Sequence, residues 1–405
     1  MGLNDTPSGE RLHIGFFGRR NAGKSSLVNA VAGQDVAVVS AEKGTTTDPV
    51  TKAMELLPLG PVLLIDTPGF DDAGSLGELR VKRTRRILNK TDIAVLVLDD
   101  AVGITDADEE LLQIFHEKNI PHLIVRSKCD DIATAGTVPT GNELCVSAVK
   151  KLGIEALKER LAHLIPQEEP RTLVRDLLSP QERVLLITPM DKAAPKGRLI
   201  LPQQQAIRDI LEAKALALVC QETEIAAALD SFKEPPSLVV CDSQVFQKVA
   251  AAVPATIPLT SFSILMARYK GFLADAIDGV ASIPRLADGD TVLIAEGCTH
   301  HRQCNDIGTV KIPHWLRQRT QKELRFETAS GQSFPEDLQK YRLIIHCGGC
   351  MLNRREMIFR MKCAREQGVP MTNYGTLIAY LHGILRRSCG LIGAFALFPQ
   401  IAAKI

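Results

Sequence analysis

Two groups of residues in this sequence have types and spacings that serve chemistry. Gly18 to Ser25 reads G-R-R-N-A-G-K-S, a full G-x-x-x-x-G-K-S phosphate-binding loop. Far downstream, Cys298-Thr299-His300 is followed by His346-Cys347-Gly348-Gly349-Cys350, with 45 residues between His300 and His346. The first group asks for phosphates and magnesium, the second for a metal that favours thiolates.

In the first group, glycines at 18 and 23 with the small Ala22 let the backbone curl, so that N–H groups and a helix N-terminus face phosphate oxygens. Lys24 reaches the outer phosphates, Ser25 offers its hydroxyl to Mg2+, and Ser26 completes the loop. Further on, Asp66-Thr67-Pro68-Gly69 supplies an acid for the magnesium shell and a glycine N–H that senses the outermost phosphate. Between them Gly44-Thr45-Thr46-Thr47 offers Thr46 to the same magnesium. Lys24, Thr46, Asp66 and Gly69 are therefore the expected catalytic set.

Base choice falls to Lys128 and Asp130 in Ser127-Lys128-Cys129-Asp130, with Ser147-Ala148 as the last guanine loop. A carboxylate accepts both the N1 and N2 protons of guanine and meets no such pair on adenine, so the site should bind GTP and GDP. Phe70 stands where Ras-type enzymes hold a water-orienting glutamine, so intrinsic hydrolysis of GTP to GDP and phosphate should be slow.

In the second group, three thiolates, Cys298, Cys347 and Cys350, suit an iron-sulfur cluster, or zinc completed by one histidine. Spacing does not choose between them. Cys304, Cys363 and Cys389 in the same region, and Cys129, Cys145, Cys220 and Cys241 elsewhere, read as packing residues.

The elements that must position these groups follow from hydrophobic pattern. Apolar runs at His13 to Phe17, Val62 to Ile65, Ile93 to Leu98 and His122 to Val125 alternate with amphipathic stretches, which implies a parallel sheet covered by helices. Pro166 to Arg171 is a charged linker. A second alternation follows, with strands at Val184 to Thr188, Leu216 to Cys220, Ser237 to Val240 and Thr256 to Leu259. Helical patterns at Pro202 to Glu212, Glu222 to Leu229 and Gln244 to Ala251 separate them, and with no reactive constellation the block reads as structural or oligomerising. A third block opens with a helix near Phe262 and carries strands at Thr291 to Ala295, Leu324 to Glu327 and Arg342 to Ile345. Both cysteine segments follow such strands, and strand carboxyl ends are the usual ligand crevice of an α/β sheet.

The expected architecture is thus α/β in three domains: a P-loop GTPase domain at 1–168, a small α/β domain of structural or oligomerising role at 172–261, and an α/β cluster domain at 262–405. With 405 residues, 45% hydrophobic and 23% charged, the chain has the composition of a globular protein with several cores. A formal net charge of +1 and the absence of a dense basic tract speak against nucleic acid and anionic membranes as partners. Met1 to Glu10 lacks the apolar core of a signal peptide, and Leu391 to Phe398 is too short to span a bilayer, so a cytoplasmic protein with reduced thiols is expected.

The nucleotide motifs as a whole resemble the translation-factor-like GTPases of the Era and MnmE group, whose fourth motif is N-K-x-D; here Ser127 replaces the asparagine. Asn21 matches the asparagine with which MnmE-like members hold potassium, which implies cation-stimulated hydrolysis. Taken over its whole length, the chain resembles the HydF family of di-iron hydrogenase maturation GTPases, on the C-x-H segment at Cys298 to His300 and the H-C-x-x-C segment at His346 to Cys350 behind an N-terminal GTPase. The resemblance implies a 4Fe-4S cluster on Cys298, Cys347 and Cys350, with a fourth iron position that is open or weakly held, for instance by His300 or His346. It also implies a transient di-iron subcluster as cargo, received with two radical S-adenosylmethionine maturases and delivered to the apo-hydrogenase by a homodimer or larger assembly. The alternative is a zinc-stabilised Era/MnmE-like GTPase in RNA or ribosome maturation, which lacks the basic, aromatic surface such a role calls for.

Overall fold

The computed structural model describes residues 6–33, 49–70, 83–130, 142–164, 171–190, 199–297, 306–331 and 334–392. Two compact units divide the chain, Met1–Glu169 and Pro170–Ile405.

Six strands form the sheet of the first unit: β1 (Leu12–Phe17), β2 (Val50–Leu56), β3 (Gly60–Asp66), β4 (Ile93–Asp99), β5 (His122–Ser127) and β6 (Glu143–Cys145). Their order is β2-β3-β1-β4-β5-β6, with β2 antiparallel to β3 and every other pairing parallel. β1 and β4 are almost wholly buried, as strands covered on both faces must be, and so they read as unbroken apolar runs. One core, with Phe16, Leu27 and Leu157, covers one face, and a second, with Phe17, Phe70 and Phe115, covers the other. The crossovers leave the loops after β1, β3, β4, β5 and β6 at the carboxyl ends of the strands, where such folds bind ligands.

The second unit holds two all-parallel four-stranded sheets. One contains β7 (Arg183–Ile187), β8 (Leu216–Cys220), β9 (Leu238–Cys241) and β10 (Leu259–Ser261) in the order β10-β9-β7-β8. The other contains β11 (Thr291–Glu296), β12 (Arg325–Ser330), β13 (Leu343–His346) and β14 (Met371–Asn373) in the order β12-β11-β13-β14. A single buried cluster runs through both. The chain passes from β10 straight into the helix Phe262–Tyr269, whose N-terminus is capped by Ser261 accepting from the Ile264 N–H at 3.3 Å. The expected boundary at 261/262 therefore falls inside this unit. The strand expected at Thr256 to Leu259 instead begins at Leu259, because Pro258 has no N–H to give a ladder.

Close backbone approach fixes the helix Leu273–Val280 on its sheet. A Cβ at Gly279 would lie 2.2 Å from the Met371 carbonyl oxygen, so only glycine lets this helix seat on β14.

Candidate functional site

The phosphate loop spans the gap from β1 to the helix Lys24–Ala32. Gly18 has φ +136°, and a Cβ there would stand 2.3 Å from the Val97 carbonyl oxygen of β4, which makes glycine obligatory. Asn21 also takes a positive φ of 60° and is exposed, while Ala22 is buried beneath it. Lys24, only 6% exposed, donates to the carbonyls of Gly18 at 2.9 Å and Arg19 at 2.6 Å, so its ammonium lies across the mouth of the loop. Ser25 and Ser26, at the start of the helix, are exposed.

The acid after β3 meets this loop. Ser25 Oγ donates to Asp66 Oδ2 at 2.6 Å, and Asp66 Oδ1 is buried with no hydrogen-bond partner. Burial pushes the Asp66 carboxyl above its usual range, while Ser25, Lys24 and Lys52 pull it back. A buried carboxylate oxygen with nothing to bond, beside a serine hydroxyl, is a donor set suited to a hard divalent cation. Gly69 sits in the loop that follows, and Phe70 folds back so that its N–H reaches the Gly18 carbonyl at 3.4 Å and its ring enters the core at 6% exposure. That ring has no group with which to orient water. Thr46 lies outside the described residues.

The guanine loops close on the same end of the sheet. Ser127 Oγ donates to the Ala22 carbonyl, tying the base loop to the phosphate loop. Lys128, at φ 63°, bonds Asp99 Oδ2 at 2.7 Å and holds that carboxyl below its usual range. Asp130 accepts from Ser147 Oγ at 2.7 Å, and Lys150 donates to its carbonyl at 2.7 Å. Ala148 continues the turn after Ser147, half-buried. The predicted nucleotide residues that the structure describes thus lie on loops at the carboxyl end of one sheet.

In the second unit, β11 and β13 are parallel neighbours with Ala295 opposite His346, and the two cysteine segments leave their carboxyl ends. Gly297, the residue before Cys298, donates its N–H to Cys347 Sγ at 3.1 Å, and Gly349 donates to the same sulfur at 3.4 Å. Gly349 reaches that position with φ +64°. Burial and the nearby Cys350 thiol push Cys347 up to about 11, and the two N–H groups oppose that rise. Cys298 and His300 lie outside the described residues.

His346 is fully buried and engaged at both ring nitrogens. Nδ1 lies 2.9 Å from the Cys347 carbonyl, and Nε2 faces Arg360 Nη1 at 3.1 Å. Burial, with the Arg360 and Lys270 charges, pushes its pKa down to about 3, so the ring is neutral, donating from Nδ1 and accepting at Nε2. Offered by the sequence as a fourth iron ligand, His346 is instead turned toward the helix Arg354–Glu366, with no lone pair left for a metal.

Two family models match most of the second unit: the hydrogen maturase F dimerization domain over residues 173–271 and its tetramerization domain over residues 274–391. The chain belongs to the hydrogen maturase F family. Residues 13–128 match the model of the 50S ribosome-binding GTPase, so the chain also carries a GTPase domain. Curated relatives include the tRNA modification GTPase MnmE of Herminiimonas arsenicoxydans, 35% identical over 161 residues, which are 38% of this chain and 34% of that protein. GTPase Der of Wolinella succinogenes is 36% identical over 131 residues, 32% of this chain and 27% of that one. The chain spans about a third of the length of these relatives. Among solved structures, Aquifex aeolicus Era bound to GDP.AlF4- is 20% identical, covering 52% of this chain and 92% of its own at a TM-score of 0.32. The G domain of the T. maritima FeoB iron transporter is 21% identical, covering 38% of this chain and 99% of its own at a TM-score of 0.31.

The candidate sites also involve residues that the sequence did not single out. Asp99 restrains Lys128, and Lys150 braces the Asp130 loop. Arg360, 1% exposed, pairs with Glu356 at 2.9 Å, donates to the Gly331 carbonyl at 2.8 Å and lies over the Phe334 ring. An arginine inside an amphipathic helical stretch gives no sign that it is buried. Its spacing of four from Glu356 was the one available hint.

Proposed function

We propose that this chain hydrolyses GTP in its N-terminal unit and, through Cys298, Cys347 and Cys350, acts as scaffold and carrier for the di-iron precursor of the hydrogenase active site. The observation that carries the reading is the Gly297 N–H on Cys347 Sγ at 3.1 Å, which joins the two cysteine arms at their strand ends within the tetramerization domain. The donor set fits a cluster: thiols close together, main-chain N–H groups aimed at a sulfur, and a glycine turn. When bound, a 4Fe-4S cluster would supply an iron position with a replaceable ligand, at which a di-iron unit docks and leaves. Gly297 and Gly349 stabilise thiolate charge at Cys347, Arg360 fixes His346 in its neutral form, and His300 or solvent remains for the fourth position.

In the nucleotide site, Ser25, Asp66 and Thr46 would hold Mg2+, with the unpartnered Asp66 Oδ1 as a ready ligand. Lys24 and Gly69 meet the phosphates, and Lys128, Asp130, Ser147 and Ala148 enclose the guanine. With Phe70 packed in the core, hydrolysis is slow and depends on a monovalent cation at Asn21. Two radical S-adenosylmethionine maturases and the apo-hydrogenase are the partners, in the cytoplasm. No helix among the described residues is long and apolar enough to cross a membrane. Dimers form through the dimerization domain, whose edge strand β8 exposes Leu216 and Val219.

Anaerobic iron and sulfide reconstitution of the full chain tests this, with visible absorption, EPR after dithionite reduction and zinc quantified together. A broad visible band and a reduced half-integer-spin signal are expected. A colourless protein holding one zinc per chain would overturn the cluster assignment in favour of a structural Cys/His site.

A further inference from the structure

We infer that Asp100, Cys129 and Cys145 form a second metal site, in the GTPase unit, which takes a thiophilic divalent cation of the zinc class and clasps the loops around the guanine. One carboxylate oxygen and the two sulfurs lie within 4.8 Å of one another. Short movements of three side-chain ends bring them to the lengths of zinc bonds, about 2.3 Å to sulfur and about 2.0–2.2 Å to oxygen.

The three ligands come from three different segments beside the base site. Asp100 follows β4 directly, Cys129 stands between Lys128 and Asp130, and Cys145 ends β6 two residues before Ser147. Main-chain bonds already fix these segments to one another: Asp100 N–H to the Ser127 carbonyl at 3.1 Å, and Cys129 N–H to the Val146 carbonyl at 3.1 Å. Both cysteines are buried while Asp100 is exposed, so an ion enters from the aspartate side and keeps water there as a fourth ligand.

Two competing roles are weaker. Burial, reinforced by the neighbouring Cys145, pushes the Cys129 thiol up to about 12, which starves thiol oxidation of the thiolate it needs. A bound cation removes that obstacle, because a coordinating thiol loses its proton outright. The ion pair that would compete for Asp100 is long and exposed, 3.8 Å from Arg126, and Arg126 keeps Glu143 at 3.1 Å. Releasing Asp100 therefore costs little. Because the ligands flank Lys128, Asp130 and Ser147, occupancy couples to nucleotide: metal changes GDP affinity, and GDP changes metal affinity by the same factor.

The site is independent of the C-terminal cysteines, and the test keeps it so by using full-length protein carrying Cys298→Ser, Cys347→Ser and Cys350→Ser. Zinc and cobalt(II) are titrated into the reduced chain, with and without GDP. The expected result is one zinc per chain and a thiolate-to-cobalt charge-transfer band. Cys129→Ser should abolish both, and Asp100→Asn should weaken zinc by about tenfold or more while leaving the band. GDP affinity should shift severalfold at saturating zinc. Zinc binding that survives Cys129→Ser, no zinc bound at all, or GDP affinity identical with and without zinc would each overturn the inference. GDP binding in the absence of metal reports folding of each variant. If the triple-serine chain fails that check, the difference in zinc bound between the unsubstituted chain and Asp100→Asn reads the same site.

Discussion

Ser127 joins two loops with one hydroxyl. Its Oγ donates to the Ala22 carbonyl, and a Cβ at Gly23 would come within 3.0 Å of it, so the serine is fitted tightly against the phosphate loop. Serine thus ties the base loop to the phosphate loop at the position where the N-K-x-D motif has asparagine. Ser127→Ala leaves the Ala22 carbonyl without its partner, at a cost of about 1–3 kcal/mol. GDP binding measured by calorimetry should weaken by roughly tenfold, and unchanged affinity would show that the tie is idle. His346 yields a pH prediction. Folded, its pKa is about 3, against about 6.5 in an unfolded chain, so below neutrality the unfolded state binds the extra proton. Its contribution is fully present above about pH 6.5 and is lost, by up to about 1.4 kcal/mol per pH unit, as pH falls toward about 3. Thermal unfolding of the cluster-free chain should show this slope, and His346→Gln should flatten it. The sequence marked His346 by its neighbours Cys347 and Cys350. What it could not show was Arg360, fourteen positions on along a helix, which decides where the ring's nitrogens point.

Elements differ in how far their pattern announces them. β1 and β4 are buried on both faces and stand out as apolar runs, whereas β2 carries Lys52 and Glu55 at a sheet edge. β6 and β14, three residues each, are too short for any period to register. The metal-ligand triad of Asp100, Cys129 and Cys145 was hidden for that reason, since only the pairing of β5 with β6 carries Cys145 to Cys129. Edge strands bear on assembly as well. Among the described residues β8 is the last strand of its sheet, paired with β7, and Leu216 and Val219 are 61% and 41% exposed on it. An edge with free main-chain groups and exposed aliphatic residues is a template for pairing with a second copy. With the dimerization domain of the family matched over residues 173–271, another of these chains is the expected second copy. Leu216→Lys with Val219→Lys should move the protein toward monomer in light scattering without loss of GDP binding. An unaltered mass would place the interface on another surface.

Across the whole molecule, nucleotide chemistry and cysteine chemistry sit in separate compact units, each with its own buried core. Side chains from one unit need not complete the site of the other, so single-site losses should be separable. Cys347→Ser removes the sulfur on which Gly297 and Gly349 converge and should abolish iron binding while GTP turnover stays near normal. Lys24→Ala removes the ammonium that lies across the phosphate loop and should cost most of the turnover while iron and sulfide content stay full. Separability of chemistry does not forbid coupling of affinity, and coupling, where it exists, is reciprocal. If GTP tightens binding of the apo-hydrogenase or a maturase by some factor, that partner must tighten GTP by the same factor. The measurement is a pair of titrations, nucleotide into the chain with and without partner, and partner into the chain with GTP and with GDP. Equal factors are what linkage requires, so the variants decide the route: an effect lost in Lys24→Ala and kept in Cys347→Ser would show that nucleotide state acts through the equilibrium between partner-binding conformations. An effect that disappears in Cys347→Ser would mean that the partner reads the cysteine site itself, and that GTP acts there.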